Sequence, residues 1–386
     1  MDKKKMTEIF QLNVTCLSFR RIADTIKFIL LVEMGAQGNM VQMRAEDYGL
    51  LVGGMRKGPR NKITDVPGVT VGHGTVDTAD HKTGVTVVIP QPENPFTHKL
   101  PAAACCMNGF GKTTGLLQLR ELGTLETPIA LTNTLNVGLV QDALVEYMVE
   151  RCQVEGVELR SVNPVVGECN DAILNRITER AVGREQVFAA LAAAALDFAE
   201  GDVGAGKGTV CHGLKGGIGS ASRIMEFDGA TYTLGLLVQS NHGVLSDLTI
   251  DGVKVGAELS RKVETSKTDQ GSILAVLATD LPLDARQLGR VARRISVGLA
   301  RLGSYLGHGS GEIFLAFSTA NPFLVENEAA VRTTLAFHEE KMDVPFRAAA
   351  ECAEEAVLNS LLTAHTVTGY RGHTVTALTD LWKPGT

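Results

Sequence analysis

The sequence predicts a layered α/β sandwich, and three observations carry the prediction. Runs rich in β-branched residues alternate with stretches of helical period, several strand-like runs are apolar throughout, and neither a repeat nor a low-complexity linker divides the chain. Strands that are apolar on both faces need cover on each side, which layers of packed helix supply.

Composition permits a core of ordinary size. Of 386 residues, 44% are hydrophobic and 21% are charged, close to the average globular chain. A net charge of −6 and an aromatic content of 5% leave neither a basic footprint nor a stacking platform for nucleic acid. The seven cysteines (Cys16, Cys105, Cys106, Cys152, Cys169, Cys211 and Cys352) are odd in number and irregularly spaced, with no CxxC pair. That pattern predicts a reduced, cytoplasmic protein with no disulfide framework and no zinc site.

Residues 1–43 are expected to form a weakly ordered extension ahead of a single domain over 44–386. Phe28–Val32 is too short an apolar run for a membrane span, and Arg20, Arg21, Asp24 and Lys27 interrupt any signal-peptide core. Met40 and Met43 stand just before the domain, so translation from either one fits the sequence as well as Met1 does. From Ile63 the pattern turns β-like. Ile63–Gly72 and Thr83–Ile89 are β-branched runs separated by polar, glycine-containing turns.

Val137 to Arg151 repeats Val140, Leu144, Tyr147 and Met148 at helical spacing, and the Ala-rich stretch from Arg184 to Ala199 reads as a second helix. Tyr232–Gln239 is a buried strand ending at Ser240 and Asn241. Arg261 to Gln270 is polar and aperiodic, and it runs straight into the apolar strand Ser272–Ala278. One long helix should follow, with Asp284 as its N-cap and Leu288, Val291, Ile295, Leu299 and Leu302 on one face. Glu312–Phe317 is a further strand, and residues 345–362 a further helix.

The chemistry gathers at the start of two of these strands. A Ser directly after a Gly, between an exposed loop and a buried strand, suits intramolecular peptide cleavage. The hydroxyl of Ser272 attacks the carbonyl of Gly271, and glycine tolerates the contorted backbone this requires. The Ser left behind carries an α-amine of pKa near ~8, able to act as base for its own hydroxyl. Ser310 and Glu312 lie two apart at a strand start, so their side chains share a face, where a carboxylate beside a hydroxyl orients a nucleophile or binds an ammonium. Asn241 at a strand end offers an amide to a developing oxyanion. Taken singly, each has an ordinary alternative as turn, cap or polar strand end.

Together they carry a family likeness. Ile63–His73, Glu126–Leu135, Pro164–Asp171, Gly213–Arg223, Gly235–Asn241, Asp269–Ile273 and Ser310–Glu312 resemble, in unbroken order, the self-cleaving L-aminopeptidase/D-Ala-esterase/amidase family, which includes the β-peptidyl aminopeptidases. The resemblance covers residue 44 to the C-terminus. It implies an αββα four-layer sandwich similar to the N-terminal-nucleophile hydrolases but with different strand connectivity. It further implies cleavage between Gly271 and Ser272 into an α chain up to residue 271 and a β chain of 272–386. Ser272 would then be the nucleophile, Asn241 an oxyanion donor, and Ser310 and Glu312 partners of the nucleophile and of the substrate's amine.

Substrates would be small peptides, amino-acid amides or esters with a free amino terminus. The enzyme would be an oligomer of cleaved heterodimers that needs no cofactor. Glu168, Asn170 and Asp171 are candidate substrate-binding residues. Lys112 stands where relatives often carry an acid, and Ile173 where an aromatic residue is expected.

Rival readings fit less well. Gly201–Gly208 lacks the hydroxyl that ends a phosphate-binding GK[ST] loop, and Cys106 replaces the first glycine before Gly111–Thr113. His338–Met342 lacks a second His for a metal, and His73, His212 and His308 are expected as hydrogen-bonding residues. A related self-cleaving acyltransferase would use Thr where this chain has Ser272. A non-catalytic binding protein would not be expected to keep Ser272, Ser310 and Glu312 together.

Overall fold

The computed structural model describes residues 42–326 and 329–383, so nearly all of the expected N-terminal extension lies outside the described residues. Residues 44–383 form two facing sheets, each covered by helices. The first sheet runs β1 (Thr70–Asp77), β2 (Lys82–Ile89), β4 (Ile129–Asn133) and β5 (Val165–Cys169), antiparallel except for the β4–β5 pair. In the second the long strands run β3 (His98–Gly109), β9 (Gly311–Ser318), β8 (Ser272–Thr279), β7 (Ala230–Asn241) and β6 (Ile218–Phe227), with β8 and β9 parallel at its centre and the short strands Thr124–Leu125 and Phe323–Leu324 paired to β3.

Three apolar layers account for the four-layer αββα stack. Val85, Val87 and Ala130 on the outside of the first sheet pack against Val140 and Leu144 of α1 (Val137–Val154) and Val187 of α2 (Arg184–Ala192). Leu131 and Val165 meet Leu237, Leu274 and Leu315 between the sheets. Ala275 and Phe314 on the far face of the second sheet meet Leu288, Leu299 and Val357 from α3 (Ala285–Ala292), α4 (Ile295–Arg301) and α5 (Asp343–Leu362). Each strand alternates between its two apolar layers, so both faces of each sheet are dry. Gly219 lets α5 come against β6, because a Cβ there would lie 1.9 Å from the carbonyl oxygen of Ala356.

Several expected elements differ in extent. Ile63–Asp65 is a single 3₁₀ turn, and the strand begins only at Thr70, beyond Pro67. The Ala-rich helix stops at Ala192, because Ala195 instead exchanges backbone hydrogen bonds with Val71 at the edge of the first sheet (3.1 and 3.0 Å). The long helix after Asp284 is two helices. Arg294 N–H donates to the Val291 carbonyl at 2.9 Å, a tightened turn that re-aims the chain while Ile295 and Leu299 stay buried. Asp284 caps the first of them, its carboxylate accepting the Gln287 N–H at 2.7 Å. No helix among the described residues is long and apolar enough to cross a membrane.

Candidate active site

The register of the central sheet assembles the site. Ser272 opens β8 and pairs with Asn241, the last residue of antiparallel β7, and with Gly311, the first residue of parallel β9. Three expected site segments therefore meet on one line across three strands. The Gly271 carbonyl, on the bond expected to break, accepts the Gly311 N–H at 3.2 Å. Gly271 is packed too closely for any side chain, since a Cβ would fall 1.7 Å from the Asn241 carbonyl oxygen.

Strand alternation divides the side chains between two faces. Ser272 shares parity with Leu274 and Val276, so it faces the layer between the sheets, as does Asn241 with Leu237. Ser272 is 4% exposed, and its near neighbour across the sheets is Cys169, whose Sγ lies 3.7 Å from the Ser272 carbonyl oxygen. Asn241 Oδ1 accepts the Val210 N–H at 2.8 Å, which leaves the NH2 end of the amide as the free donor. Glu312 instead shares parity with Phe314 and belongs to the helix-facing side.

Ser310 and Glu312 do share a face, as their spacing predicts. The Ser310 hydroxyl donates a short hydrogen bond to Glu312 Oε1, and Asn108 Nδ2 holds the segment by donating to the carbonyls of Ser310 (2.5 Å) and Gly307 (2.7 Å). Glu312 Oε2 is buried without a hydrogen-bond partner. Burial pushes the Glu312 carboxyl up to about 7, opposed by the Ser310 hydrogen bond and helped by the nearby negative charge of Asp269. Asp269 itself is tied down, accepting the N–H groups of Gly243 (3.0 Å) and Gly307 (3.2 Å).

A cavity of about 450 Å³ opens beside Gly271 and Asn241. Asn170, Ile173 and Gly243 line it, and so do Glu264, Ser266 and Gln270 from the loop that leads to Gly271. Of the three candidate substrate-binding residues, only Asn170 lies on this wall, and its side chain caps the Ala172 N–H at 3.0 Å. Glu168 lies buried behind the wall. Its Oε1 accepts the Lys112 N–H at 3.0 Å and its Oε2 the Thr134 hydroxyl, so it ties the turn carrying Lys112 to the segment that follows β4. Asp171 is also buried, with Oδ1 held by Asn175 Nδ2 at 2.9 Å, and burial raises its carboxyl to about 7. Lys112 sits over the Phe110 ring, 4.6 Å from its centroid.

Sequence reasoning missed two parts of this site. Gly311 contributes its backbone N–H, and side-chain chemistry gives no signal of that. Asn108 holds the Ser310 segment from a strand far away in sequence. Among the described residues every cysteine is free, and only Cys106 is exposed.

The comparisons with known proteins converge on one family. The sequence profile of peptidase family S58 matches residues 61–375. The chain is 38% identical to the beta-peptidyl aminopeptidase BapA of Sphingosinicella microcystinivorans, over 87% of this chain and 89% of that one. The PH0078 protein from Pyrococcus horikoshii OT3 superposes with a TM-score of 0.82 at 48% identity, covering 87% of this chain and 96% of the other. The L-aminopeptidase D-Ala-esterase/amidase from Ochrobactrum anthropi, described as a prototype for the serine aminopeptidases and a new variant among the Ntn hydrolase fold, superposes with a TM-score of 0.80. Its identity is 37%, with 87% and 95% of the two chains covered.

Proposed function

The chain belongs to peptidase family S58 and is an aminopeptidase; from that premise we propose that it cleaves its own Gly271–Ser272 bond and then works through Ser272 as an N-terminal nucleophile. The observation that carries this reading is the strand register, which sets Ser272 between Asn241 and Gly311. Ser272 Oγ adds to the Gly271 carbonyl, whose oxygen already accepts the Gly311 N–H. The peptide becomes an ester as the amide C–N bond breaks and the nitrogen takes a proton. Water then hydrolyses the ester, leaving an α chain that ends at Gly271 and a β chain that begins at Ser272.

The released α-amine emerges opposite Gly311, between Ser310 and Glu312. It serves as base for the Ser272 hydroxyl, while the neighbouring carboxylate and hydroxyl hold it, or a substrate ammonium, by charge-assisted hydrogen bonds. Asn241 Nδ2 donates to the oxyanion of the tetrahedral intermediate. The leaving amine departs, and water resolves the acyl-enzyme. Substrates are small peptides, amino-acid amides or esters with a free amino terminus, of L-, D- or β-configuration. Exposed Phe110, Leu117 and Leu122 supply apolar surface for assembly of cleaved heterodimers into oligomers.

A denaturing gel with N-terminal sequencing tests the first step. Purified protein should give two bands, the smaller beginning at Ser272; a single intact band after long incubation would sink the proposal. For the second step, N-acetylated amino-acid amides should be turned over far more slowly than the free-amine forms. Equal rates would refute recognition of the amine.

A further inference from the structure

Beside the cavity, but outside the proposed machinery, lie three buried side chains. Cys211, His212 and His242 each offer a ligand atom, and these atoms all lie within 4.8 Å of one another. Cys211 and His212 come from a tight hairpin, Val210–Cys211 paired with Leu214–Lys215, and His242 follows Asn241 directly.

The detail of this cluster is unusual for packing alone. His212 sits at φ 49, a left-handed conformation that an L-residue with a Cβ adopts only under strain. Its Nδ1 lies 3.0 Å from the Val244 carbonyl oxygen, which can only accept, so Nδ1 carries the proton and Nε2 presents a bare lone pair. That Nε2 is buried without a partner, and so is Nε2 of His242. Two orphaned imidazole nitrogens in one buried cluster are expensive unless something completes them. A backbone carbonyl bonded to the opposite ring nitrogen is also how metal-ligating histidines are usually oriented. Gly243 makes room for the arrangement, since a Cβ there would strike the His212 ring at 2.5 Å.

We infer that Cys211, His212 and His242 form a binding site for a divalent cation of the zinc class, with the cavity supplying water as the fourth ligand. One thiolate and two imidazoles are a borderline-soft set suited to a tetrahedral d¹⁰ ion. Burial keeps both imidazoles neutral, His242 being pushed down to about 3, so their lone pairs are available. As the metal–sulfur bond forms, the Cys211 thiol proton leaves to solvent, and no electrons are transferred. Burial pushes the Cys211 thiol up to about 12, a cost that the metal–sulfur bond has to exceed, and the Asp269 carboxylate lies within electrostatic reach of both Cys211 and His212.

The expectation of no zinc site rested on sequence spacing. It could not register a His brought in by strand pairing 30 residues after His212.

Cobalt titration of the full purified chain tests the site. One equivalent of Co²⁺ should produce a thiolate-to-cobalt charge-transfer band together with tetrahedral d–d bands, and Zn²⁺ should displace both. Cys211→Ser should abolish the charge-transfer band, and His242→Phe should weaken binding at least tenfold. Far-ultraviolet circular dichroism without metal should match wild type for each. A cobalt spectrum lacking the thiolate band in the wild type, or equal affinity in all three proteins, would overturn the inference. The readout is binding rather than turnover, so Ser272→Ala protein should give the same titration whether or not the chain cleaves itself.

Discussion

Two buried glutamates on facing sheets make an informative contrast. Glu168 lies one residue before the end of β5 in the first sheet and Glu312 is the second residue of β9 in the second, and both are essentially inaccessible to solvent. Glu168 spends both oxygens inside the fold, on the Lys112 N–H and the Thr134 hydroxyl. Glu312 spends one on Ser310 and keeps the other unpartnered. A fully satisfied carboxylate is scaffold. One held in place but only half-satisfied is ready for an incoming cation, and burial, with the charge of Asp269 nearby, pushes its carboxyl up to about 7.

The second sheet's claim to the chemistry is broken most decisively at the cleavage line. Ser272→Ala should leave a single uncut band and lower kcat by about 10⁴-fold or more, read by gel and by hydrolysis of a free-amine amide. Gly271→Ala should also stay uncut, because its Cβ has no space against the Asn241 carbonyl. Asn241→Ala should cost about 10²–10³-fold in kcat with KM little changed, as expected for a donor used mainly in the transition state.

The glutamate pair sharpens the contrast further. Glu312→Gln should lower kcat/KM by about 10²-fold at pH 8 and remove an acidic limb centred near pH 7, below which the wild-type carboxyl is protonated and cannot hold an ammonium. Glu168→Gln should leave the pH profile unchanged and instead lower stability by about 1–3 kcal/mol. If both variants gave the same pH profile, the contrast between them would fail.

The smallest effect concerns stability. Glu312 has a folded pKa above its unfolded value, so its ionised form opposes folding. The penalty is absent below the unfolded pKa of 4.5 and complete once pH exceeds about 7. In uncut Ser272→Ala protein, adding Glu312→Gln should therefore raise unfolding free energy by up to about 3 kcal/mol at pH 8 and leave it unchanged at pH 4. Urea denaturation at the two pH values measures it.

Much of this was legible in the sequence for physical reasons. The strands declared themselves through unbroken apolar runs, and the proposed cleavage dipeptide through a glycine set between loop and strand. Ser310 and Glu312 were legible as a pair because a spacing of two is the strand period. What could not be read was the third dimension. Strand parity, fixed only once β8 and β9 pair, puts Ser272 and Glu312 on opposite faces, and Glu168 looked like a pocket residue until its two partners came in from other segments. The helix after Asp284 kept its apolar stripe across the Arg293–Arg294 break, so periodicity alone could not reveal the interruption.

The position of β8 has a consequence for how such an enzyme ends its life. It lies in the middle of its sheet, between β7 from one side of the cut and β9 from the other, and the long strands β3, β7 and β6 all precede residue 272. A chain nicked at Gly271–Ser272 would hold its two pieces like interleaved fingers, with no shared backbone to guide them back once pulled apart. Precursor unfolded and then diluted should regain its shape, whereas matured protein treated the same way should be lost for good. Cutting itself would thus turn a reversible fold into one assembled only once.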